Sequence, residues 1–97
     1  MGTLYLINKP HGENGLKIAK IQAKKDENIK IVFIMNGVYY TIEEDILREI
    51  KVEGIKIFAI EEDIKRRGLE DKIKDVEMID YSKLIDLIVE NKVVNFI

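Results

Sequence analysis

Three short apolar runs constrain this chain more than any other feature: LYLI (Leu4 to Ile7), IVFI (Ile31 to Ile34) and IFAI (Ile57 to Ile60). They are continuous rather than alternating, the pattern of strands covered on both faces in a parallel sheet. Helical patterns lie between them. Leu16, Ala19 and Ala23, with Ile18 and Ile21, give a first helix its apolar side, and Tyr39, Ile42, Ile46 and Ile50 recur at helical spacing in a second. A short third helix, from about Glu61 to Arg67, ends at Gly68, where a left-handed C-cap residue is expected. VEMI (Val76 to Ile79) reads as a fourth strand, and its Glu77 suggests a position near an edge. Asp80 or Ser82 caps a last helix whose stripe of Leu84, Leu87 and Ile88 is widened by Ile85 and Val89, so its apolar surface exceeds one face. The tail VVNFI (Val93 to Ile97) fits a fifth strand or a segment that docks on a partner. Right-handed crossovers then predict an α/β chain: a single three-layer α/β/α domain over residues 1–97, with a mainly parallel sheet of four or five strands.

Composition sets the outer bounds. A chain of 97 residues hides only about two-thirds of its unfolded surface, which predicts a stability of roughly 5–10 kcal/mol that self-association would raise. With 16 basic against 18 acidic residues, the chain lacks the basic excess of an autonomous nucleic-acid binder, so no direct nucleic-acid contact is expected. No apolar run approaches the roughly 20 residues that span a bilayer, and the start of the chain lacks the pattern of a secretory signal; a cytoplasmic protein is expected. Cysteine is absent. That removes disulfides, thiolate nucleophiles, persulfide carriers and cysteine metal sites together.

In a parallel sheet the loops after the strand C-termini share one edge, the usual ligand crevice. Here that edge collects Asn8 to Gly12, Met35-Asn36-Gly37, Glu61-Glu62-Asp63 and Asp80-Tyr81. The acids of IFAIEEDIKRRGL are read as first-turn carboxylates complementing a helix dipole, with Lys65, Arg66 and Arg67 at the opposite end. A phosphoacceptor site would need acids after the first strand, where Asn8, Lys9 and Pro10 stand instead. His11, the only imidazole, has no cysteine or presented hydroxyl to activate and is read as a solvated loop residue. Lys17, Lys20 and Lys24 share a helix face and are read as a solvated stripe. Asn36 can cap a helix, and Gly37 permits a left-handed or closely approached backbone. Of Tyr39 and Tyr40, one must face away from the core and is a candidate interface anchor. No catalytic, cofactor-binding or metal-binding residue is assigned.

Three stretches in this order, FIMNGVYY (Phe33 to Tyr40), IFAIEEDIKRRGL (Ile57 to Leu69) and MIDYSKLIDLIVEN (Met78 to Asn91), resemble the DsrH/TusB family of sulfur-relay subunits. The likeness spans nearly all of Phe33 to Asn91 and weakens before it. It implies a DsrE-like fold and membership of a TusBCD- or DsrEFH-type complex, with DsrE/TusD-like and DsrF/TusC-like subunits as partners. Such complexes serve 2-thiolation of the tRNA wobble uridine or sulfur oxidation. The relay cysteine belongs chiefly to the D- or E-type subunit; some DsrH members carry one near the first helix, and this chain has none there. The positions matching the family motif are Asn36, Gly37, Val38, Glu62, Asp63, Arg67, Gly68, Asp80 and Tyr81; with Tyr39 and Tyr40 they are expected to be framework and interface residues. The competing expectation is a stand-alone homo-oligomer binding a small ligand at the loops Asn8 to Gly12 and Asn36 to Gly37.

Overall fold

The computed structural model describes residues 2–97. All three continuous apolar runs become strands, and a five-stranded sheet forms from β1 (Gly2–Ile7), β2 (Ile29–Phe33), β3 (Lys56–Ile60), β4 (Glu77–Ile79) and β5 (Asn91–Phe96). The order is β4-β3-β2-β1-β5, and every neighbouring pair is parallel. The apolar tail is therefore a strand: β5 pairs with β1 along its whole length, from Gly2 opposite Asn91 to Ile7 opposite Phe96. Glu77 lies at an edge, as its charge in an apolar run suggested.

The helices divide unequally between the two faces. Helices α1 (Gly12–Ala23), α2 (Glu44–Val52) and α3 (Glu61–Arg66), with a 3-10 segment at Met35–Ile42, follow β1, β2 and β3 as the strands progress towards β4. Their Leu16, Ala19, Val38, Leu47, Ile50 and Ile64 form one buried cluster with Tyr5, Ile31, Phe33 and Ile57 of the sheet. Helix α4 (Tyr81–Glu90) carries the chain back from β4 to the far edge across the other face. It alone supplies helical side chains, Leu84 and Leu87, to the cluster of Leu4, Leu6, Val32, Phe58, Ile60 and Ile79.

Three sequence expectations need correction. The second helix is broken: Glu43 adopts an extended conformation (φ −99°, ψ 94°) between the 3-10 segment and α2. The cause is local. Tyr40 is drawn under the chain against Phe33, ring centroids 5.6 Å apart, while the Thr41 hydroxyl donates to the Val38 carbonyl at 2.6 Å. Leu47 and Ile50 then become the buried stripe, and Ile42 is left exposed. In α1 the interior takes Leu16 and Ala19, whereas Ile18 and Ile21 face outward. The lysine stripe is also partly engaged, because Lys20 reaches Glu49 of α2 at 3.1 Å and Lys24 reaches Glu53, just past the end of α2, at 2.9 Å. Among the described residues no helix is long and apolar enough to cross a membrane.

Candidate functional site

The segment that follows β3 spaces three acids four residues ahead of three bases: Glu61 with Lys65, Glu62 with Arg66 and Asp63 with Arg67. One turn of helix brings each pair together. Glu61 and Glu62 meet their partners in solvent at 2.7 and 2.8 Å. Asp63 points the other way and is 2% exposed. Its Oδ2 accepts the Met35 backbone N–H at 2.8 Å and the Tyr81 hydroxyl at 3.3 Å, and its Oδ1 lies 3.7 Å from Arg67 Nη1. Met35 has a left-handed backbone, φ 49°, which a residue with a Cβ adopts at a cost of about 1–2 kcal/mol. The charge-assisted bond to Asp63 offsets that strain.

Arg67 extends the network. Nε and Nη2 donate to the Asn36 side-chain oxygen at 3.1 and 2.9 Å, and Nη1 donates to the Asp63 carbonyl at 3.0 Å. The guanidinium also stands 6.0 Å from the centre of the Tyr39 ring. One buried carboxylate thus ties the ends of β2, β3 and β4 together. Towards β1 the contact is steric: a Cβ on Gly37 would come within 2.1 Å of the Ile7 carbonyl oxygen, and the Gly37 N–H donates to the Asn8 side chain at 3.1 Å. Gly68 takes the left-handed C-cap position, φ 65°, and the Asp80 carboxylate caps α4 by accepting the Lys83 N–H at 2.8 Å.

The predicted motif residues therefore separate into groups. Asn36, Tyr39, Asp63, Arg67 and Tyr81 converge, with Gly37 at their margin. Val38 and Tyr40 enter the core, while Tyr39 is the exposed member of the tyrosine pair. Glu62 turns to solvent, and Gly68 and Asp80 terminate and start helices. Asn36 does not cap a helix, and the left-handed residue of its loop is Met35, not Gly37. The sequence reading gave no role to the Asn8 amide or the Met35 N–H; a short polar residue at the end of a buried strand was the available signal for Asn8.

Burial and the nearby Asp63 carboxylate raise the Tyr81 hydroxyl above the ordinary tyrosine range. Tyr40 is raised as well, by burial first and then by Glu13 and Glu43. Neither is a base at neutral pH. His11 is exposed at the start of α1 and makes no side-chain cap bond. Among the described residues no group of three or more metal-ligating side chains converges, and no buried side-chain nitrogen or oxygen lacks a partner. The buried Asp63 carboxylate is satisfied by groups from the neighbouring loops and holds those loops in place.

A small α/β/α domain with an all-parallel sheet, its loops tied together at the carboxyl edge, defines the class. The crystal structure of the ychN protein from E. coli has the same fold, with a TM-score of 0.85 over 99% of both chains at 16% identity. The family is shown by sequence. The model described as "DsrH like protein" matches residues 14–94, and Protein TusB of Photorhabdus laumondii is 36% identical over 76 residues, covering 76% of this chain and 77% of that protein. This chain belongs to the DsrH family. The matched region begins well before Phe33 and includes α1 from Asn14 onward.

Proposed function

We propose that this chain is a non-catalytic subunit of a cytoplasmic sulfur-relay complex of the TusBCD or DsrEFH type, working beside cysteine-bearing DsrE/TusD-like and DsrF/TusC-like subunits. The observation that carries this reading is a DsrH-family chain with no cysteine, in which Asn36, Asp63, Arg67 and Tyr81 are bonded together at the carboxyl edge. A persulfide needs a thiol to form on, and the methionine thioethers offer none. The residues that remain available at the edge are amphipathic: Tyr39, Tyr81 and Met35 are each partly exposed around the rigid Asp63 centre. Aromatic side chains held by a fixed framework suit an interface that orients a neighbour's reactive loop.

Co-expression with the DsrE- and DsrF-like subunits is the direct test. A stable three-protein complex is expected, and Tyr39→Ala is expected to weaken it while lowering the melting temperature of the free chain by only a few degrees, the small loss of an exposed ring beside Arg67. Wobble-uridine 2-thiolation and sulfur oxidation are separated by assaying both in cells lacking the chain. A sulfur adduct on the isolated chain, transferable to an acceptor thiol and seen by mass spectrometry, would overturn the non-catalytic role. The reading as a small-ligand binder gains no support from the geometry, because Gly37 rests on Ile7 and Asn8 where the ligand would enter.

A further inference from the structure

Helix α3 is shorter than the helix before it. It has six residues, about 9 Å, against nine residues and about 13.5 Å in α2. It packs on the 3-10 segment Met35–Ile42. After the buried Leu69 the chain returns to β4 through one 3-10 turn, Glu70–Lys72, and an irregular stretch that passes through the left-handed Asp75, φ 59°. The flank of α2 that a longer α3 would cover is therefore left open. A groove of about 690 Å³ lies between α2 and the return segment, within the roughly 300–1,000 Å³ of small-molecule sites.

The groove joins an apolar floor to a cationic rim. Buried Leu47 and partly exposed Ile42 supply the floor. Four basic side chains, Arg48, Lys51, Lys72 and Lys74, line it against two acidic ones, Glu44 and Asp75. That is a local excess of positive charge on a chain whose formal charge is -2. Glu44 stands in the first turn of α2, where the helix dipole favours it. Asp75 is taken by Lys51 at 3.3 Å, and Arg48 is shared with Asp45 at 3.1 Å. Lys72 and Lys74 make no ion pair among the described residues. Two ammonium groups without a counter-charge, set beside apolar surface, complement an anion that also carries a hydrophobic body.

We infer that this groove binds a small organic anion, with its carboxylate, sulfonate or phosphate head on Lys72 and Lys74 and its apolar body on Ile42 and Leu47. The walls decide the size of the ligand. Lys51 and Asp75 belong to opposite walls and join them, so an extended peptide laid along the groove would break that pair, whereas a compact ligand leaves it intact. A second cationic hollow, between α1 and α2, is committed internally: Lys20 and Lys24 are taken by Glu49 and Glu53, and Lys17 is left alone. The groove shares no residue with the loops Asn8 to Gly12 and Asn36 to Gly37, where Gly37 leaves no room for a ligand. The inference does not depend on the relay assignment.

The test titrates the purified chain with anilinonaphthalene sulfonate, a fluorescent organic anion, and with N-phenylnaphthylamine, the same ring system without the sulfonate. Saturable binding of one dye per chain is expected, with the neutral analogue bound at least about tenfold more weakly. Lys72→Gln combined with Lys74→Gln should weaken the sulfonate about tenfold and leave both the melting temperature and the affinity of the neutral analogue unchanged. Lys17→Gln combined with Lys25→Gln removes the same charge elsewhere on the surface and should have no effect. Amide resonances that move with the dye should cluster at 41–52 and 72–75. Octanoate or phenyl phosphate should displace the dye, and whichever does so identifies the head group; inorganic phosphate at the same concentration should not. Absence of saturable binding, equal binding of the neutral analogue, an equal loss in the Lys17 and Lys25 variant, resonance shifts elsewhere, failure of both organic competitors, or displacement by inorganic phosphate would overturn the inference.

Discussion

The two sides of helix α3 carry the same chemistry at the same spacing to opposite ends. On the solvent side, Glu61–Lys65 and Glu62–Arg66 are short ion pairs, 2.7 and 2.8 Å. On the inner side, Asp63 and Arg67 are 3.7 Å apart and are held chiefly by other groups: Met35 and Tyr81 for the carboxylate, Asn36 and the Asp63 carbonyl for the guanidinium. The shorter pairs contribute less. Water screens them and competes for both partners, whereas a buried charge that loses its donors keeps its full desolvation penalty. Distance alone therefore misranks the three pairs, and burial ranks them.

Removing the inner carboxylate gives the largest expected effect. Asp63→Ala leaves the Met35 N–H and the Tyr81 hydroxyl without their acceptor and the Arg67 guanidinium without its counter-charge, a loss of about 3–5 kcal/mol, which for a chain of this size lowers the melting temperature by roughly 15 °C or more. Asp63→Asn keeps an oxygen for Met35 and Tyr81 and should lose distinctly less. Equal losses in the two variants, measured by calorimetry, would mean that charge and not hydrogen bonding holds the loops. Next in size is Arg67→Lys. An ammonium keeps the charge but does not span the Asn36 oxygen and the Asp63 carbonyl together, so about 1–2 kcal/mol is expected to go. A neutral result in urea denaturation would reduce Arg67 to the status of Arg66.

How much of this was legible beforehand follows the range of each interaction. Continuous apolar runs announced the strands because a buried parallel strand writes its environment into every residue. Glu77 marked its edge and Gly68 its helix end for similarly local reasons. The break at Glu43 was hidden because Tyr39, Ile42 and Ile46 satisfy helical spacing whether or not the backbone continues; only the packing of Tyr40 under the chain interrupts it. The pairs Lys20–Glu49 and Lys24–Glu53 join residues 29 apart and leave no mark on either local pattern. The motif positions around the site could be named from the family resemblance, but EED reads as three equivalent acids. Nothing in that triplet singles out Asp63 until Met35 and Tyr81 arrive from other strands. The tail was ambiguous for a better reason: an edge strand and a docking segment make the same demand on composition.

Tyr81 lies between the two sides of the comparison, half-exposed yet bonded to the buried acid. Tyr81→Phe should cost about 0.5–1 kcal/mol near neutral pH, the lower part of the range for a long hydrogen bond. Its pH dependence is the sharper measurement. The hydroxyl is raised in the folded state by burial and by Asp63. The folded chain therefore holds that proton more tightly than the unfolded chain, and the associated stability is complete below the ordinary tyrosine range of about 10. It declines as the pH rises through the folded value, and the Phe variant should lose less over that interval. Parallel alkaline unfolding curves for the two proteins would show that Tyr81 ionises as freely as a tyrosine in water.

The smallest effect is expected where the ion pair is shortest among those with an arginine. Glu62→Gln removes one member of an exposed pair at i and i+4, for about 0.3–0.5 kcal/mol, a shift of no more than a few degrees that 1 M salt should erase. The salt series matters more than the size. If Glu62→Gln costs as much as Arg67→Lys, and salt does not reduce the cost, then Glu62 is bonded to something other than Arg66 in solution. The obvious candidate is a neighbouring molecule seated in the open groove that Glu62 shares with Asp80 and Tyr81. Repeating the measurement across protein concentration separates that case, since an intermolecular bond makes the melting temperature rise with concentration and a bond within one chain does not.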